Sequence, residues 1–240
     1  MIKGLIKYHL ILLIKDPMLV IFGLAYPFVQ LFLAQATLDR IDYFYVNLID
    51  ITIISFMNIA AMVLCWGTGY NHAHSREIKF LRRLRMSSVK PIHYLASGIL
   101  LNISVLLVFT SVLVIVAGAL LDINVVSKNW ALIVTVLFLV FTMFYVIGMF
   151  TANALKKAKN AQSLLYVVFI SMIIVVNLLV VGNMPNFIQV IIRNTPITYA
   201  TNILQAAWMG TDLFYGHDFI AMMAYILVLG LLTIKFFKYE

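Results

Sequence analysis

IHYLASGILLNISVLLVFTSVLVIVAGALL, residues 92–121, is the stretch that decides the fold of this 240-residue chain. It contains no Asp, Glu, Lys or Arg. A helix needs about 20 predominantly apolar residues to cross a bilayer, and apolar helices of a soluble core are usually shorter. We therefore predict a membrane-spanning helix here. Its length predicts that the helix tilts or extends beyond the hydrocarbon layer.

Five other stretches are apolar enough to span a membrane, and the composition agrees with them. Hydrophobic residues make up 64% of the chain, charged residues 11%, and the mean hydropathy is +1.03. Because a soluble domain is only about half apolar, the surplus apolar surface must face lipid. The sequence predicts an all-α integral membrane protein with six transmembrane helices in a single domain, residues 1–240. The spans lie near residues 17–37, 46–70, 92–121, 130–153, 163–183 and 218–235.

The net charge of +8 is distributed unevenly around these spans. Most of the 17 basic residues fall at the two termini and in the loops after spans two and four. Only Arg40, Lys128 and Arg193 fall on the other side. Because Lys and Arg next to spans concentrate on the cytoplasmic side, we expect both termini in the cytoplasm, in a multi-pass protein of the inner or plasma membrane. Topology also accounts for the basic charge without nucleic acid as a partner.

Residues 1–16 differ from the spans because Lys3, Lys7 and Lys15 interrupt a short apolar run. Apolar residues at helical spacing predict an amphipathic helix that lies in the membrane interface. The alternative is a cleaved signal peptide, but no small-residue cleavage site follows the run.

The chain carries no pattern that would supply energy or catalysis. A P-loop requires a Gly followed by Lys, and none of the 11 glycines is followed by Lys. The span interiors hold almost no ionisable residues, which argues against an ion-coupled carrier, an intramembrane protease and a metalloenzyme. We expect no catalytic residue and no metal site. Cys65 and the pair Gly148 and Ala152 are interpreted as packing residues.

If the chain transports actively, a cytoplasmic partner must supply the energy, and the largest cytoplasmic segment is residues 72–90. Ser75 is placed to cap a helix, and Glu77 is favourable in the first turn of that helix. Phe80 and Leu81 begin its apolar face, and basic residues fill much of the remainder. The residues alone leave two interpretations open: a protein-docking helix, or a basic anchor on acidic lipid.

The same segment resembles the cytoplasmic loop of ABC-2 type transporter permeases. The matching residues are Arg76, Glu77, Leu81–Leu84, Ser87–Ile92 and Tyr94. In that family a glutamate-led coupling helix docks into a groove on the ATPase, and an N-terminal amphipathic helix forms the elbow. The resemblance implies an elbow helix at 1–16 and a coupling-helix loop at 72–90. The implied ATPase contacts are Glu77, Phe80, Leu81, Arg82 and Leu84.

A second resemblance to this family lies between spans five and six, in residues 184–212. The family pattern is Pro-x-x-hydrophobic-Gln, then Asn-Pro-hydrophobic-Thr-Tyr, then Gly. This chain departs from it by inserting Thr195. The resemblance implies short re-entrant helices that form an external lid, and such backbone must be buried in protein or line a cavity. The implied lid residues are Pro185, Gln189, Asn194, Pro196 and Tyr199.

The resemblance covers nearly the whole chain and also implies the partners. They are a separate ABC ATPase subunit that binds ATP and Mg, a second copy of the permease or a paralogue of it, and membrane lipid. The permease itself would hold no cofactor and would not be an enzyme. The expected function is export of an amphipathic or hydrophobic substrate, such as a drug, an antimicrobial peptide or a lipid-linked molecule.

Asn58 in span two and Asn177 in span five are candidates for the substrate path because they are polar groups at lipid depth. The alternative, which we favour, is hydrogen bonding between helices, worth about 1 kcal/mol. Two other functions stay open. One is a non-transporting membrane anchor, immunity factor or signalling factor. The other is a channel or ion-coupled carrier.

Overall fold

The computed structural model describes residues 2–15, 29, 45–86, 91–121, 128–155, 157–181, 185–211 and 216–236. Every regular element within these ranges is an α-helix, which confirms the predicted all-α class. In chain order the helices are α1 (Ile2–Ile14), α2 (Tyr45–Glu77), α3 (Phe80–Met86), α4 (Pro91–Leu121), α5 (Trp130–Ala154), α6 (Ala158–Val181), α7 (Asn186–Arg193), α8 (Pro196–Met209) and α9 (His217–Lys235).

Five of these helices are long and apolar enough to cross a membrane, namely α2, α4, α5, α6 and α9. They correspond to predicted spans two to six. The predicted first span, 17–37, lies outside the described residues, so the count of six stays a prediction. Two boundaries differ from expectation, because α2 continues to Glu77 and α6 already begins at Ala158.

The extension of α2 past residue 70 has a tertiary cause. Its last turns carry the polar residues His72, Ser75 and Arg76, which lower the local hydropathy, yet all three side chains are buried. Ser75 does not begin a new helix as expected. It lies inside α2, and its hydroxyl donates a hydrogen bond to the Asn71 carbonyl at 2.6 Å. Contacts with α1, α5 and α6 therefore keep this polar segment helical.

Helix α2 is the centre of the bundle. Of its apolar stretch 89% is buried, against 22% for α6 and 11% for α9. It packs against α4, α5, α6 and α8, and its core side chains, such as Ile54, Phe56 and Leu64, are almost fully inaccessible. The exposed apolar faces of α6 and α9 are the surfaces that lipid would cover.

Helices α2 and α5 cross at close range. A Cβ atom added to Gly148 would lie 2.8 Å from the Cys65 carbonyl oxygen, and one added to Gly69 would lie 2.8 Å from the Gly148 carbonyl oxygen. Ala152, one turn further along α5, is fully buried. The predicted packing roles of Gly148, Ala152 and Cys65 are confirmed, since small residues let the two backbones approach.

The helices alternate in direction, so their ends form two groups. The junction end gathers α1, the end of α2, α3, the start of α4, the end of α5 and the start of α6. The opposite end gathers the start of α2, the start of α5, α8 and the start of α9.

Candidate functional site

The richest set of polar contacts lies at the junction end, and we call it the polar junction. It joins six helices through side chains of α1, α2, α3, α4 and α5, most of them buried or half-buried, and through the backbone at the turn from α5 to α6. Its members are Tyr8, His9, His72, Ser75, Arg76, Glu77, Phe80, Tyr94, Asn153, Leu155 and Ala158.

The polar junction begins where α2 ends. Lys79 has φ of 59°, in the left-handed region that non-glycine residues rarely adopt. The helical hydrogen bonds stop with the Lys79 amide donating to the Arg76 carbonyl at 2.9 Å. Helix α3 then begins at Phe80. A short break at residues 78 and 79 therefore separates α3 from the long helix α2.

Arg76 binds the end of α5. Its side chain is only 3% exposed, and Nη2 donates to the carbonyls of Ala152, at 3.3 Å, and Leu155. A cation is favourable here because the last carbonyls of a helix carry the negative end of its dipole. Nε and Nη1 have no hydrogen-bond partner among the described residues, so part of the bonding capacity of this buried guanidinium is unused.

Glu77, the next residue, binds the start of α6. Its carboxylate accepts a hydrogen bond from the Ala158 amide at 3.2 Å. An acidic group is favourable at this position because the first amides of a helix carry the positive end of its dipole. Two adjacent residues of α2, one cationic and one anionic, therefore hold the two ends that meet at the turn from α5 to α6.

His72 adds a second bond between α2 and α5. Its Nε2 lies 3.0 Å from Oδ1 of Asn153, and both side chains are buried. Since His72 lies one turn before Arg76, the two residues fix the end of α5 at two successive turns of α2. The register of α2 against α5 is therefore specified by polar contacts as well as by the glycine crossing.

Helix α1 is joined to the same assembly through Tyr8 and His9. The Tyr8 hydroxyl lies 2.6 Å from Ser75 Oγ, and its ring stacks on Phe80 with centroids 4.1 Å apart. The His9 ring packs against Tyr94 at 4.9 Å. Burial lowers the pKa of His9 to about 4, opposed in part by hydrogen bonding to the Tyr94 backbone. His9 is therefore neutral at physiological pH and adds no charge beside Arg76.

The predicted ATPase contacts differ in how far their side chains are exposed. Glu77 and Arg82 have exposed side chains, while Phe80 is half-buried under Tyr8. Leu81 is 0% exposed, which places it in the protein core rather than on a docking surface, because it anchors α3 to the bundle. The side chain of Leu84 lies outside the described part of the chain. The outward surface of α3 presents Arg82, Arg83 and Met86.

The predicted lid residues lie on α7, on α8 and in the turn between them. Asn194 ends α7, and its Oδ1 accepts a hydrogen bond from the buried Tyr199 hydroxyl at 3.2 Å. Pro196 begins α8. Pro185 and Gln189 belong to the start and middle of α7, away from that bond. The structure therefore brings together Asn194, Pro196 and Tyr199 but not all five.

Asn58 is fully buried, and its amide donates to Thr201 Oγ1 of α8 at 3.1 Å. This contact fits the favoured alternative, a hydrogen bond between helices, and the role of Asn58 in a substrate path stays a prediction. The side chain of Asn177 lies outside the described part of the chain.

A second polar cluster, at the opposite end, is absent from the sequence-based predictions. Trp208 Nε1 donates to Oδ1 of Asp50 at 2.7 Å, and Lys128 Nζ lies 4.0 Å from the other carboxylate oxygen. The same ammonium lies 4.9 Å from the centre of the Trp208 ring. These contacts fasten α8 to the start of α2 and to the residues that precede α5.

We expect the substitution Trp208→Phe to lower the free energy of unfolding by about 2 kcal/mol, because the buried Asp50 carboxylate loses a charge-assisted hydrogen bond. Thermal unfolding of the purified protein in detergent measures the change. The matched control is Trp66→Phe, since the buried Trp66 Nε1 has no partner among the described residues. Equal losses in the two variants would mean that the bond to Asp50 adds nothing beyond ring packing.

One known protein family matches nearly the whole chain. A family model described as "ABC-2 family transporter protein" matches residues 17–235. The match includes every part of the polar junction except α1, and it includes α7 and α8. No curated protein and no solved structure matches the chain.

Proposed function

This chain belongs to the ABC-2 family of transporter proteins, and from that premise we propose that it is the membrane subunit of an exporter driven by a separate ABC ATPase. Membership makes it a multi-pass membrane transport subunit, in agreement with its five apolar helices. The ATPase partner would bind ATP and Mg, and the membrane domain would be completed by a second copy of this chain or a paralogue.

One observation carries the proposal: α3 contacts α1 directly and is joined through the end of α2 to the end of α5 and the start of α6. Leu81 anchors α3 in the core, Phe80 stacks on Tyr8 of α1, and Glu77 holds the start of α6. A movement imposed on the exposed side of α3 would reach α1, α5 and α6 together. That is the arrangement a transport subunit needs if a cytoplasmic partner supplies its energy.

The break at residues 78 and 79 supports a junction that rearranges, and so do Nε and Nη1 of Arg76, which have no hydrogen-bond partner within the described part of the chain. A left-handed non-glycine residue and buried donors without partners each cost on the order of 1–3 kcal/mol. Such costs favour a second arrangement in which they are relieved. We propose that closure of the ATPase moves α3 between two such arrangements and that the cytoplasmic ends of the spans follow.

The cargo proposed for this transporter is hydrophobic or amphipathic. A narrow crevice between α2, α5 and α6, with a free volume of about 30 Å³ in this conformation, has a mostly apolar lining that includes Met62, Trp66, Phe144, Phe169 and Met172. A charged solute would lose its hydration there without compensation. An apolar molecule entering from lipid would not.

The proposal predicts which partner the chain retains. Purified in mild detergent from its native host, it should bring with it a P-loop ATPase in near-equal amount. A double charge reversal, Arg82→Glu with Arg83→Glu, should weaken recovery of the ATPase about tenfold or more. The reason is that it would replace electrostatic attraction between the exposed surface of α3 and the ATPase by repulsion.

The matched control is Lys235→Glu, which changes the charge of an exposed basic residue at the end of α9. It should leave recovery of the ATPase unchanged. If the double variant retained the ATPase fully, α3 would be a lipid anchor only. If no ATPase accompanied even the wild-type chain, the non-transporting anchor or signalling function would replace the exporter.

A further inference from the structure

Helix α7 carries an apolar face that the rest of the described chain does not cover. Phe187, Val190 and Ile191 are 66%, 60% and 64% exposed, and their spacing of three and four residues places them on one side of the helix. The remaining large apolar residue of its last turn, Ile192, is buried. We propose that α7 lies in the membrane surface at the opposite end, with this face inserted among lipid chains.

The position of α7 along the chain places it at that surface. Helix α6 has 24 residues, so it is about 36 Å long, enough to cross a hydrocarbon core of about 30 Å. It starts at the junction end. From Val181 to Pro185 the chain can reach at most about 14 Å, so α7 begins close to the depth at which α6 leaves the hydrocarbon.

The orientation of the apolar face is fixed by the turn into α8. The Tyr199 hydroxyl of α8 donates to Oδ1 of Asn194 at 3.2 Å, and the Thr198 hydroxyl donates to the Ile192 carbonyl at 2.7 Å. Helix α8 is itself buried between α2, α5 and α9. Because these bonds hold α7 to a buried helix, its apolar face stays exposed and cannot rotate toward the bundle.

Lipid is the occupant that the neighbouring surface indicates. The exposed side of α6 carries Val167, Ile170 and Ile174, which are 51–64% exposed and share one face at intervals of three and four residues. This lipid-facing stripe leads along α6 toward the residues that precede α7. Arg193 is exposed at the end of α7. A cation beside an apolar face that is inserted in lipid can extend toward the lipid phosphates.

The expected lid is thereby divided into two parts with different surroundings. Helix α8 packs in the bundle, as re-entrant backbone requires, whereas α7 is a surface helix. This inference requires only that the chain is a membrane protein, as its family is. It rests on the proposed function in one respect, which is the assignment of the opposite end to the outer surface of the membrane.

The test uses the full-length chain in vesicles, with Cys65→Ala removing the native thiol. Phe187→Cys and Val190→Cys are each labelled with bimane, and the matched control is Thr211→Cys, an exposed polar position at the same end. Bimane at 187 and 190 should be quenched at least about twofold more by brominated phosphatidylcholine than bimane at 211. Aqueous iodide should show the reverse order.

Strong iodide quenching at both 187 and 190 would overturn the proposal, because the face would then be in water. Protection from both quenchers, together with disulfide crosslinking of Phe187→Cys between two copies, would also overturn it, since a second copy would then be the occupant. Absence of an ATPase in the purification would contradict the exporter function but would leave the quenching result unaffected.

Discussion

The substitution Gly148→Ala will lower the free energy of unfolding by about 2 kcal/mol or more, because the added methyl group has no space at the crossing of α2 and α5. Its Cβ would lie 2.8 Å from the Cys65 carbonyl oxygen, and that oxygen belongs to a helix backbone that cannot rotate away. The two central helices would have to separate, and overpacking of a buried contact costs about 1–3 kcal/mol. Thermal unfolding in detergent measures the loss.

The matched control for Gly148→Ala is Gly230→Ala. Gly230 also lies inside a helix, but apart from its own helix backbone and chain neighbours no atom of the described residues is within 4 Å of its added Cβ. The control should be neutral or stabilising by up to about 1 kcal/mol, because alanine is the better helix former. If Gly148→Ala behaved like Gly230→Ala, the crossing would have spare room and the tight glycine contact would not determine stability.

The spans were predictable because hydropathy acts locally. Residues 92–121 and 130–153 are apolar enough for a bilayer whatever surrounds them, and the structure forms α4 and α5 there. The glycine crossing was predictable for a related reason, since Gly148 and Ala152 lie one turn apart on one helix face. Patterns within a single helix thus indicated both the element and one of its contacts.

The polar junction could not be predicted because its bonds join distant parts of the chain. Tyr8 and Ser75 are 67 residues apart, and Arg76 and Leu155 are 79 residues apart. Sequence spacing carries no information about such pairs. The signal that could have pointed to them is a positive charge, Arg76, followed directly by Glu77 at the end of an apolar helix, where one of the two charges commonly caps a neighbouring helix.

The apolar face of α7 could not be predicted for a different reason, which is that the motif located the breaks in the chain but not the packing of the helices. The motif around Pro185 and Asn194 predicted breaks in the chain, and these are found at the start of α7 and at the turn into α8. It could not tell which helix would pack inward. That depends on the bonds of Trp208 and Thr201 with α2, which draw α8 into the bundle and leave α7 at its edge.

The substitution Arg76→Met should separate stability from coupling. Methionine keeps the unbranched apolar stem of arginine, and it removes a buried cation whose desolvation opposes folding, so the loss of the bonds to α5 should be largely offset. We expect the free energy of unfolding to change by less than about 1.5 kcal/mol. Movement of α5 and α6 with α3 should nevertheless weaken, because the guanidinium bonds to the last carbonyls of α5 are gone and the His72–Asn153 bond is left to join that end of α5 to α2.

That movement can be measured without knowing the cargo. A fluorophore on Ser163→Cys, an exposed position of α6, in the Cys65→Ala background should change its emission when the reconstituted transporter binds ATP and is trapped with vanadate. In Arg76→Met the change should fall about fivefold or more, the range expected when a coupling free energy of 1 kcal/mol or more is lost. ATPase recovery should stay at the wild-type level, since α3 keeps its exposed surface.

Two further variants assign the effect of Arg76→Met to the bonds rather than to the charge. Arg76→Lys keeps the charge but lacks the fork that lets one guanidinium reach two carbonyls, so it should recover only part of the signal. Glu77→Gln leaves Arg76 in place and keeps an acceptor for the Ala158 amide, so it should retain most of the wild-type signal. A full signal in Arg76→Met would overturn the role of Arg76 in coupling, because α5 and α6 would then follow α3 through packing alone, with the polar junction serving only to hold the fold.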